Sequence, residues 1–448
     1  MTLASQPLDP AVKQPLGKLY DLVTGDEDAR VCKDIPSESC RDQPLNFFAY
    51  LGANLLTKVA DELCSAKLIL PWLLGALAAP AVLVGLLVPI REAGVLLPQL
   101  AVAAYIRRLP LRKYVWIWGS LLSAAALALM ALAAATLSGA AAGWVIVVML
   151  ALFSLTRGLC SVSAKDVLGK TVSKARRGNL MGISAGIAGA LTLALGLYLQ
   201  FATGDETDTA VFVALLGGAA LLFVTAALVF RWIREQPGAT AGGGNAFETA
   251  IESVALLRTD PLFRRFVLVR IALLSVALTA PFYVLLLQSS SGGDLSGLGL
   301  LIIASGLASS IGAPIWGRLS DRSSRLVMVL ASAAAGLVGL LTWLLARLDA
   351  GLLQGPFVFA GLFLLLNIAH SGVRLGRKVY LVDMASSDTR AAMVAVSNTA
   401  IGIAMLAGGL VGIVADLYDA ATVILVLAIG SLGAAIYAGS LTEVSEPV

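Results

Sequence analysis

Twelve apolar runs follow one another from residue 47 to residue 440, and each is long enough to cross a lipid bilayer as a helix. A helix needs about 20 residues to span ~30 Å of hydrocarbon. The runs occupy residues 47–75, 82–106, 113–136, 143–166, 179–201, 209–233, 265–287, 297–316, 326–346, 355–378, 391–415 and 420–440. Only 13% of the residues are charged, whereas soluble proteins average about 25%. The sequence therefore predicts an all-α, polytopic membrane protein with twelve transmembrane helices.

A stretch in the first half of the chain is repeated in the second half. Residues 157–189 align without gaps with residues 370–402, at an offset of 213 residues. Six of the 33 aligned positions are identical: Lys165/Lys378, Leu168/Leu381, Ser173/Ser386, Arg177/Arg390, Ser184/Ser397 and Gly189/Gly402. In an apolar chain, such a repeat predicts a transporter built from two pseudo-symmetric six-helix bundles, with its site where the bundles meet.

Polar stretches divide the chain into five predicted parts. These are an N-terminal extension (1–45), a first six-helix bundle (46–233), a central loop (234–260), a second six-helix bundle (261–440) and a C-terminal tail (441–448). The central loop begins with a glycine-rich segment typical of flexible linkers. The first 45 residues contain no apolar core followed by a small-residue cleavage site, so we expect no signal peptide.

The basic residues are distributed unevenly between the two sets of connections. One set holds 21 Lys and Arg residues, at 107–113, 165–178, 231–265, 318–325 and 374–390. The opposite set holds only Arg347. Because basic loops stay in the cytoplasm, this asymmetry predicts cytoplasmic termini in an inner-membrane protein. It also accounts for the net charge of +4 without a nucleic-acid partner.

The sequence offers no pattern for an enzyme or a cofactor. The four cysteines show no CxxC spacing, so neither a disulfide framework nor a metal site is expected. Gly182-Ile-Ser184-Ala-Gly186 matches a nucleophile elbow but lies in an apolar helix. Gly169-Lys170-Thr171 lacks the first glycine of a phosphate-binding loop. We therefore expect no cofactor and no metal, and uphill transport would have to use an ion gradient.

Eight charged residues fall inside the predicted spans. They are Lys58, Lys67, Arg91, Arg157, Arg270, Asp61, Glu62 and Glu92. A charge at the centre of a bilayer costs at least about 2.5–3.5 kcal/mol on insertion scales. These side chains are therefore expected to face one another or water, with the exception of Arg270. Arg270 lies only a few residues inside its span, so we expect it to reach the cytoplasmic surface.

The first span carries the densest polar cluster. Asn54, Lys58, Asp61, Glu62 and Ser65 share one face of a helix, because spacings of three and four residues return to the same side. Glu62 lies one turn from Lys58, so these two side chains are expected to pair and to leave Asp61 free to titrate. Intramembrane acids are candidates for function, which makes Asp61 and Glu62 proton-coupling candidates. The alternative is a fixed polar lock between helices.

Further candidates follow from depth and from the repeat. Glu92 is a third proton-coupling candidate, although a structural pair with Lys67 on the neighbouring span is an open alternative. Arg91 is expected to meet Asp61 or Glu62. Arg157 and His370 occupy equivalent places in the repeat and suit an anionic group or a proton site. The predicted substrate-binding residues are Asn54, Lys58, Arg91, Arg157, Asn367 and His370. A hydrogen-bonded core histidine beside Asn367 is the alternative for His370.

The segment Gly317-Arg-Leu-Ser-Asp321-Arg322-Ser-Ser-Arg325 resembles the loop signature of the major facilitator superfamily. The resemblance implies two six-helix bundles that rock around a central cavity lined mainly by spans one, four, seven and ten. It also implies that these loop residues act in gating. Their counterparts in the first half include Arg108 and Arg112. That half departs from the signature, since Arg108 stands in place of the aspartate and Ala104 in place of the glycine.

These observations favour a secondary active transporter that moves a small organic solute across the bilayer, most simply as a proton-coupled monomer. A facilitative uniporter on the same scaffold is one alternative, in which the buried charges only lock helices. A membrane receptor or assembly factor acting through its N-terminal extension is another. Span five lacks the proline of the motif typical of drug antiporters, which argues against a drug exporter.

Overall fold

In a computed structural model, the described part of the chain is almost entirely helical. It comprises residues 10–24, 35, 37–98, 102, 105–106, 108–201, 209–238, 255–290, 295–348, 355–386 and 389–444. These residues contain helices and no strand. The prediction of an all-α fold is confirmed. Arg107 and most of the predicted central loop lie outside the described residues.

Nineteen α-helices are described, and we number them in chain order. They are α1 (Pro10–Thr24), α2 (Ser37–Arg41), α3 (Gln43–Leu63), α4 (Ile69–Ala76), α5 (Ala81–Leu96), α6 (Lys113–Thr136), α7 (Gly139–Thr171), α8 (Lys174–Phe201), α9 (Thr209–Phe230), α10 (Leu256–Thr259), α11 (Pro261–Ala272), α12 (Leu274–Leu278), α13 (Ala280–Ser290), α14 (Leu295–Ser320), α15 (Ser324–Leu348), α16 (Pro356–Met384), α17 (Arg390–Gly408), α18 (Gly412–Leu417) and α19 (Ala420–Gly439). A 3₁₀ turn, Gly409–Val411, joins α17 to α18.

Ten segments of the described chain are long and apolar enough to cross a membrane. They begin with Lys113–Thr136 and end with Ala420–Gly439, and the segment Pro261–Ser290 runs through α11, α12 and α13. The first two predicted spans are not among the ten. The first is interrupted between α3 and α4, and the second continues beyond α5 into residues that are only partly described. The count of twelve therefore stays a prediction.

The interruption of the first span covers residues 64–68. The Leu70 N–H donates to the Ser65 carbonyl at 2.9 Å, so the chain turns without continuing the regular helix. Away from water, backbone outside a helix is tolerated only where protein covers it or where it lines a water-filled cavity. Ser65, Ala66, Lys67 and Leu68 all line a cavity between the two halves. The break thus marks the place where the first span contributes to an internal site.

The helices pack in two groups that correspond to the two halves of the sequence. In the first group α6 packs against α7 and α9, α3 against α9, and α5 against α7. In the second group α15 packs against α19 and α16, and α14 packs against α16. The groups meet mainly along two seams. One is formed by α8 and α14, and the other by α5 with α17 and α18.

Glycines allow both seams to close tightly near one end of their helices. A Cβ atom added to Gly85 would lie 2.7 Å from the Gly409 carbonyl oxygen and 2.8 Å from the Gly412 Cα. A Cβ atom on Gly299 would lie 2.7 Å from the Gly196 carbonyl oxygen. Small residues permit such close approach of helices in a membrane. The two halves therefore meet at the end where α5, α14 and α19 begin.

Two expectations from the sequence are wrong. The stretch 374–390 was expected to be a basic loop, but α16 continues to Met384, so Arg374, Arg377 and Lys378 lie within a helix. The helix outlasts its apolar run because these three side chains line a cavity and do not have to face lipid. No disulfide was expected, yet Cys40 is disulfide-bonded, and its partner lies outside the described residues. Cys64 and Cys160 are free and buried.

Candidate functional site

Three adjoining cavities lie between the two groups of helices. The central cavity has a volume of about 430 Å³, the cationic cavity about 550 Å³ and the lateral cavity about 700 Å³. Lys67, Glu92, His370 and Arg374 line both the central and the cationic cavity. The central and lateral cavities also share lining residues, among them Glu62. Together they form a hollow bordered by both halves of the chain.

Asp61 on α3 forms two ion pairs at the edge of this hollow. Its Oδ1 lies 3.1 Å from Arg91 Nη2 on α5, and its Oδ2 lies 2.6 Å from Arg157 Nη2 on α7. Each guanidinium also stacks on a ring at 5.1 Å, Arg91 on Phe153 and Arg157 on Phe223. The expected contact between Arg91 and Asp61 is present. The carboxylate thereby ties three helices of the first half together.

Arg157 does not line any of the three cavities, which differs from its expected place at the substrate. Its side chain is 17% exposed, and its second strong partner is the Phe223 ring inside the first half. His370, the equivalent residue of the repeat, does line the central and cationic cavities. The two equivalent positions therefore differ in their surroundings.

The predicted Lys58–Glu62 pair does not form. Lys58 Nζ donates to Ser184 Oγ on α8 at 3.2 Å, and Asn54 Nδ2 donates to the same oxygen at 2.7 Å. Asn54 lines none of the three cavities and serves this helix contact. Glu62 is exposed to the central and lateral cavities, with no cation within 4.0 Å among the described residues. Of the two acids in the first span, Glu62 is therefore the one without an ion pair to a described residue.

The pair proposed between Lys67 and Glu92 is also absent as a contact within 4.0 Å in the described chain. Both side chains line the central and cationic cavities. Asn367 Nδ2 donates to the Phe363 carbonyl at 2.9 Å, one turn earlier in α16, and makes no hydrogen bond to His370 in the described chain. Asn367 and His370 both line the central cavity.

Arg270 on α11 does not reach the surface, contrary to expectation. It is 6% exposed. Its Nη1 donates to Ser397 Oγ at 2.6 Å, and its Nη2 donates to Asn398 Oδ1 at 3.3 Å. The guanidinium lies 5.8 Å from the Phe266 ring centre and lines the cationic cavity. Its partners are neutral, so its charge is not compensated by an acid.

Sequence reasoning missed three cavity residues, Arg374, Arg377 and Lys378. A signal for them was present. Positions 370, 374, 377 and 378 are spaced by one and two helical turns, which places them on one face of a helix. Their basic character was interpreted as a loop on the cytoplasmic side, because the apolar run ends near residue 378. Composition alone does not distinguish the amphipathic end of a transmembrane helix from a basic loop, because both contain the same residue types.

The cationic cavity has a strongly unbalanced charge. Among the described residues, five cationic side chains line it, and Glu92 is the only acid. A sphere of about 550 Å³ has a radius of about 5 Å, so like charges on opposite walls are roughly 10 Å apart. At an effective dielectric constant of about 20, each such pair repels by roughly 2 kcal/mol. An empty cavity of this kind stores repulsion that a bound anion would relieve.

The residues resembling a gating loop form similar contacts in both halves. In the first half, Arg112 Nη1 lies 2.9 Å from Asp166 Oδ2, and its N–H donates to Glu235 at 2.8 Å. In the second, Arg325 Nη1 donates to the Leu441 carbonyl at 3.0 Å and its Nε lies 3.5 Å from Glu443. Asp321 and Arg322 occupy the turn after α14, and Arg108 the turn before α6. Gly317 has no steric requirement, since an added Cβ would meet nothing within 4 Å.

The fold of this chain is similar to the folds of several solved transporter structures. The nucleoside transporter NupG is 14% identical, and the match covers 88% of this chain and 98% of NupG with a TM-score of 0.66. A D-xylose-proton symporter is 12% identical, with coverages of 89% and 98% and a TM-score of 0.65. The xylose transporter XylE from E. coli, in an inward-open conformation, is 11% identical, with coverages of 88% and 95% and a TM-score of 0.61. At these identities the likeness concerns the fold.

A family model matches the second half of the sequence. Residues 269–448 match the family model described as Major Facilitator Superfamily. No curated protein matches the chain. The match covers the second half, and the structural likeness extends the same architecture over the first half as well. By sequence, the second half of the chain therefore matches the major facilitator superfamily, and the described chain as a whole is a multi-pass membrane protein with the fold of the transporters NupG and XylE.

Proposed function

We propose that this protein is a secondary active transporter that moves a small organic solute across the inner membrane, as a monomer, with protons as the coupling ion. The observation that carries the proposal is the hollow between the two halves, into which both contribute ionisable side chains. Transporters with internal repeats bind their substrates at such an interface. A nucleoside transporter and a xylose-proton symporter share the fold, which supports a solute of similar size.

The closed and open ends of this hollow suggest alternating access. The two halves are in close contact at the end of the bundle where α5 and α14 begin. Toward the opposite end, the cationic cavity extends to Val382, near the end of α16. Asp416 holds the closed end. Its two carboxylate oxygens accept from the Ala81 N–H at 2.6 Å and the Val82 N–H at 2.9 Å. With the predicted orientation, this conformation opens to the cytoplasm. Solute entry from outside would require the Asp416 contact to break.

For proton coupling, the geometry favours Glu62 and Glu92 over Asp61. Asp61 is held by two guanidinium groups, and protonation would leave two cations without a partner. Glu62 and Glu92 face the hollow without an ion pair in the described residues. A carboxyl group that is open to the cavity can exchange a proton in each conformation. We assign Asp61 to the lock that fixes the first half.

The proposal is tested in proteoliposomes that enclose a pH-sensitive dye. Addition of a transported solute should move protons in the wild type. Glu62→Gln should abolish this proton movement while solute counterflow persists, and the double variant Asp61→Asn with Glu62→Gln should also lose coupling. Asp419→Asn, a carboxylate outside the hollow, is the matched control and should behave as wild type. Solute-driven proton movement that is unchanged in Glu62→Gln and in Glu92→Gln would contradict the coupling assignment.

A facilitative uniporter is the second candidate, and the double pairing of Asp61 favours it. A carboxylate that is locked between two arginines has a structural role that needs no proton cycle. A uniporter would show counterflow that survives dissipation of the proton gradient and would never accumulate its solute against a gradient. Gradient-driven accumulation in the proteoliposomes decides in favour of the coupled transporter.

A further inference from the structure

The cationic cavity gathers positive charge from both halves of the chain. Lys67 comes from the break after α3, Arg270 from α11, and Arg374, Arg377 and Lys378 from one face of α16. Of these, Arg374 and Lys378 are exposed to the open space, whereas Arg270 is buried in the wall. The charges therefore border a common volume, and they do not form a patch on one helix.

No carboxylate among the described residues forms a direct ion pair with these cations. Within the described residues, none of the five lies within 4.0 Å of a carboxylate. Arg270 bonds only to the neutral side chains Ser397 and Asn398, and the buried Nε of Arg377 has no hydrogen-bond partner in the described structure. Glu92 is the one carboxylate that the described part of the chain places in the wall. A single acid cannot balance five cations, and an uncompensated charge is unfavourable where water is scarce.

The first half shows that this arrangement is not forced by the fold. There, Asp61 is supplied between Arg91 and Arg157, so two buried guanidiniums share a carboxylate. In the wall around the cationic cavity, the described residues supply one carboxylate, Glu92, for five cations, and it pairs with none of them within 4.0 Å. A bound anionic ligand would supply the negative charge that the protein itself does not provide at this site.

The shape and the apolar part of the wall define the ligand further. A volume of about 550 Å³ lies within the range of cavities that bind small molecules. Leu96, Leu381 and Met405 line the same cavity and offer contact to a carbon skeleton. Guanidinium groups match carboxylates and phosphates through paired N–H donors, whereas lysine acts as a point charge.

We propose that the solute carried by this transporter is a small organic anion, whose carboxylate or phosphate group binds between Arg374, Arg377 and Lys67 in the cationic cavity. The inference rests on the proposed transport function and names its substrate class. Arg270, held by Ser397 and Asn398, adds positive potential from the wall. Because Lys67 belongs to the first half and the arginines to the second, an anion between them attracts the two halves to each other.

The test measures thermal stabilisation of the full-length protein in nanodiscs of zwitterionic lipid. The probes are succinate, benzoate and inorganic phosphate, and the neutral counterparts of the first two are succinamide and benzamide. At least one anion should stabilise the protein at about 10 mM or below, the range of weak millimolar affinity. Its affinity should fall as salt is raised, because salt screens charge. The neutral amides should have no effect.

Variants locate the site. Arg374→Gln with Arg377→Gln should weaken the anion effect by at least about tenfold. Arg347→Gln, which removes a cation remote from the cavity, should leave it unchanged. Arg374→Gln alone, at an exposed position, is the second variant in case the double variant does not fold. A second set of nanodiscs with anionic lipid separates sources, because a lipid headgroup bound in the cavity would compete with the free anions.

In the stability assay, three results would overturn the inference. The first is no stabilisation by any of the anions, the second is equal stabilisation of the wild type and the arginine variants, and the third is suppression of the effect by anionic lipid. Suppression of the anion effect by anionic lipid alone would reassign the cavity to a lipid headgroup and equally contradict a transported anion. Counterflow in proteoliposomes keeps the two proposals apart. Counterflow of a neutral solute, with no effect of anions, would support the transport function and contradict the anionic substrate. Anion binding without any flux would support the anion site and contradict the transport function.

Discussion

The two halves of this molecule share a fold but treat their buried charges in opposite ways. In the first half, one carboxylate joins two arginines from neighbouring helices, and the set contacts mainly protein. In the second half, arginines face a cavity in which Glu92 is the one carboxylate among the described lining residues, and they form no ion pair with it within 4.0 Å. The same helical scaffold can therefore use a buried charge in an ion pair that joins helices, or leave the charge facing a cavity where a ligand could bind it.

The repeat makes this difference easier to see, because one contact is equivalent in both halves. Ser184 and Ser397 are related by the offset of 213 residues. Ser184 Oγ accepts from Asn54 and Lys58, and Ser397 Oγ accepts from Arg270. Each serine thus joins the first helix of its half to the fifth. The hydrogen bond to this serine is common to both halves, whereas the pairing of the charged side chains around it differs.

The largest effect is expected from removing the carboxylate of the lock. Asp61→Asn would leave Arg91 and Arg157 without an anion in a partly buried place, and breaking a buried pair from one side costs about 3–5 kcal/mol. The side chains are 17–25% exposed, so we expect the lower end, about 3 kcal/mol. Thermal unfolding in nanodiscs measures this loss of stability. Asp61→Glu is the control, because it keeps the negative charge. Equal melting temperatures of Asp61→Asn and wild type would show that the lock is not structural.

The next largest effect is expected at the seam between the halves. Gly85→Val would place atoms against the Gly409 carbonyl oxygen, only 2.7 Å from an added Cβ, and such overpacking costs about 1–3 kcal/mol. The closed end should open, and the distance between spin labels on cysteines at Thr136 and Leu348 should increase. Gly217→Val is the control, since an added Cβ there meets nothing within 4 Å. An unchanged distance distribution in Gly85→Val would refute a closed gate at this end.

A smaller effect of opposite sign is expected in the second half. Arg377→Gln removes one of several uncompensated cations, so stability without ligand should stay equal or rise by about 1 kcal/mol because repulsion is relieved. Thermal unfolding at low salt gives the comparison with Asp61→Asn. Destabilisation of Arg377→Gln by as much as Asp61→Asn would mean that both halves use their arginines structurally, which would remove the contrast.

The smallest effect is expected at an ion pair outside the spans. Arg347 and Asp419 lie 2.8 Å apart and are 46% and 42% exposed. Burial raises the pKa of Asp419, but hydrogen bonds from Thr422 and the Arg347 charge outweigh this and hold the pKa below its ordinary value. Arg347→Gln should cost less than about 1 kcal/mol. Because the folded pKa is depressed, this contribution is present above about pH 4 and is lost as the pH falls through the folded pKa. A larger loss, or one that appears at neutral pH, would contradict this account.

Much of the fold was readable from the sequence because long apolar runs permit only helices in a bilayer. The repeat and the loop at Gly317 predicted the two-part architecture. The break at residues 64–68 was not predicted, since its composition does not differ from a helix. Residues 65–68 line the central cavity, and such a position tolerates backbone outside a regular helix.

Within the site, residue types were predicted better than their pairing. Asp61, Arg91 and Arg157 were selected because charges are unfavourable in lipid, but only packing decides that one carboxylate serves both arginines. Lys58 was expected to pair with Glu62 along the helix, yet Ser184 on α8 lies within its reach. Arg374 was overlooked because its depth depends on how far α16 extends, which hydrophobicity alone does not define.

The most direct test of the central claim is the chemical modification of a cysteine placed in the cationic cavity. His370→Cys, with Cys64 and Cys160 replaced by alanine, is reacted with methanethiosulfonate reagents carrying either a sulfonate or a trimethylammonium group. Rates are normalised to those of a free thiol. The account predicts that the anionic reagent reacts faster by at least about tenfold, as expected for a cavity that focuses positive potential. Ser310→Cys in the lateral cavity, whose ionisable wall is Lys58, Asp61 and Glu62, should show no such preference. Equal rates at position 370, or a preference for the cationic reagent, would contradict the claim that the second half keeps its positive charge open to a ligand.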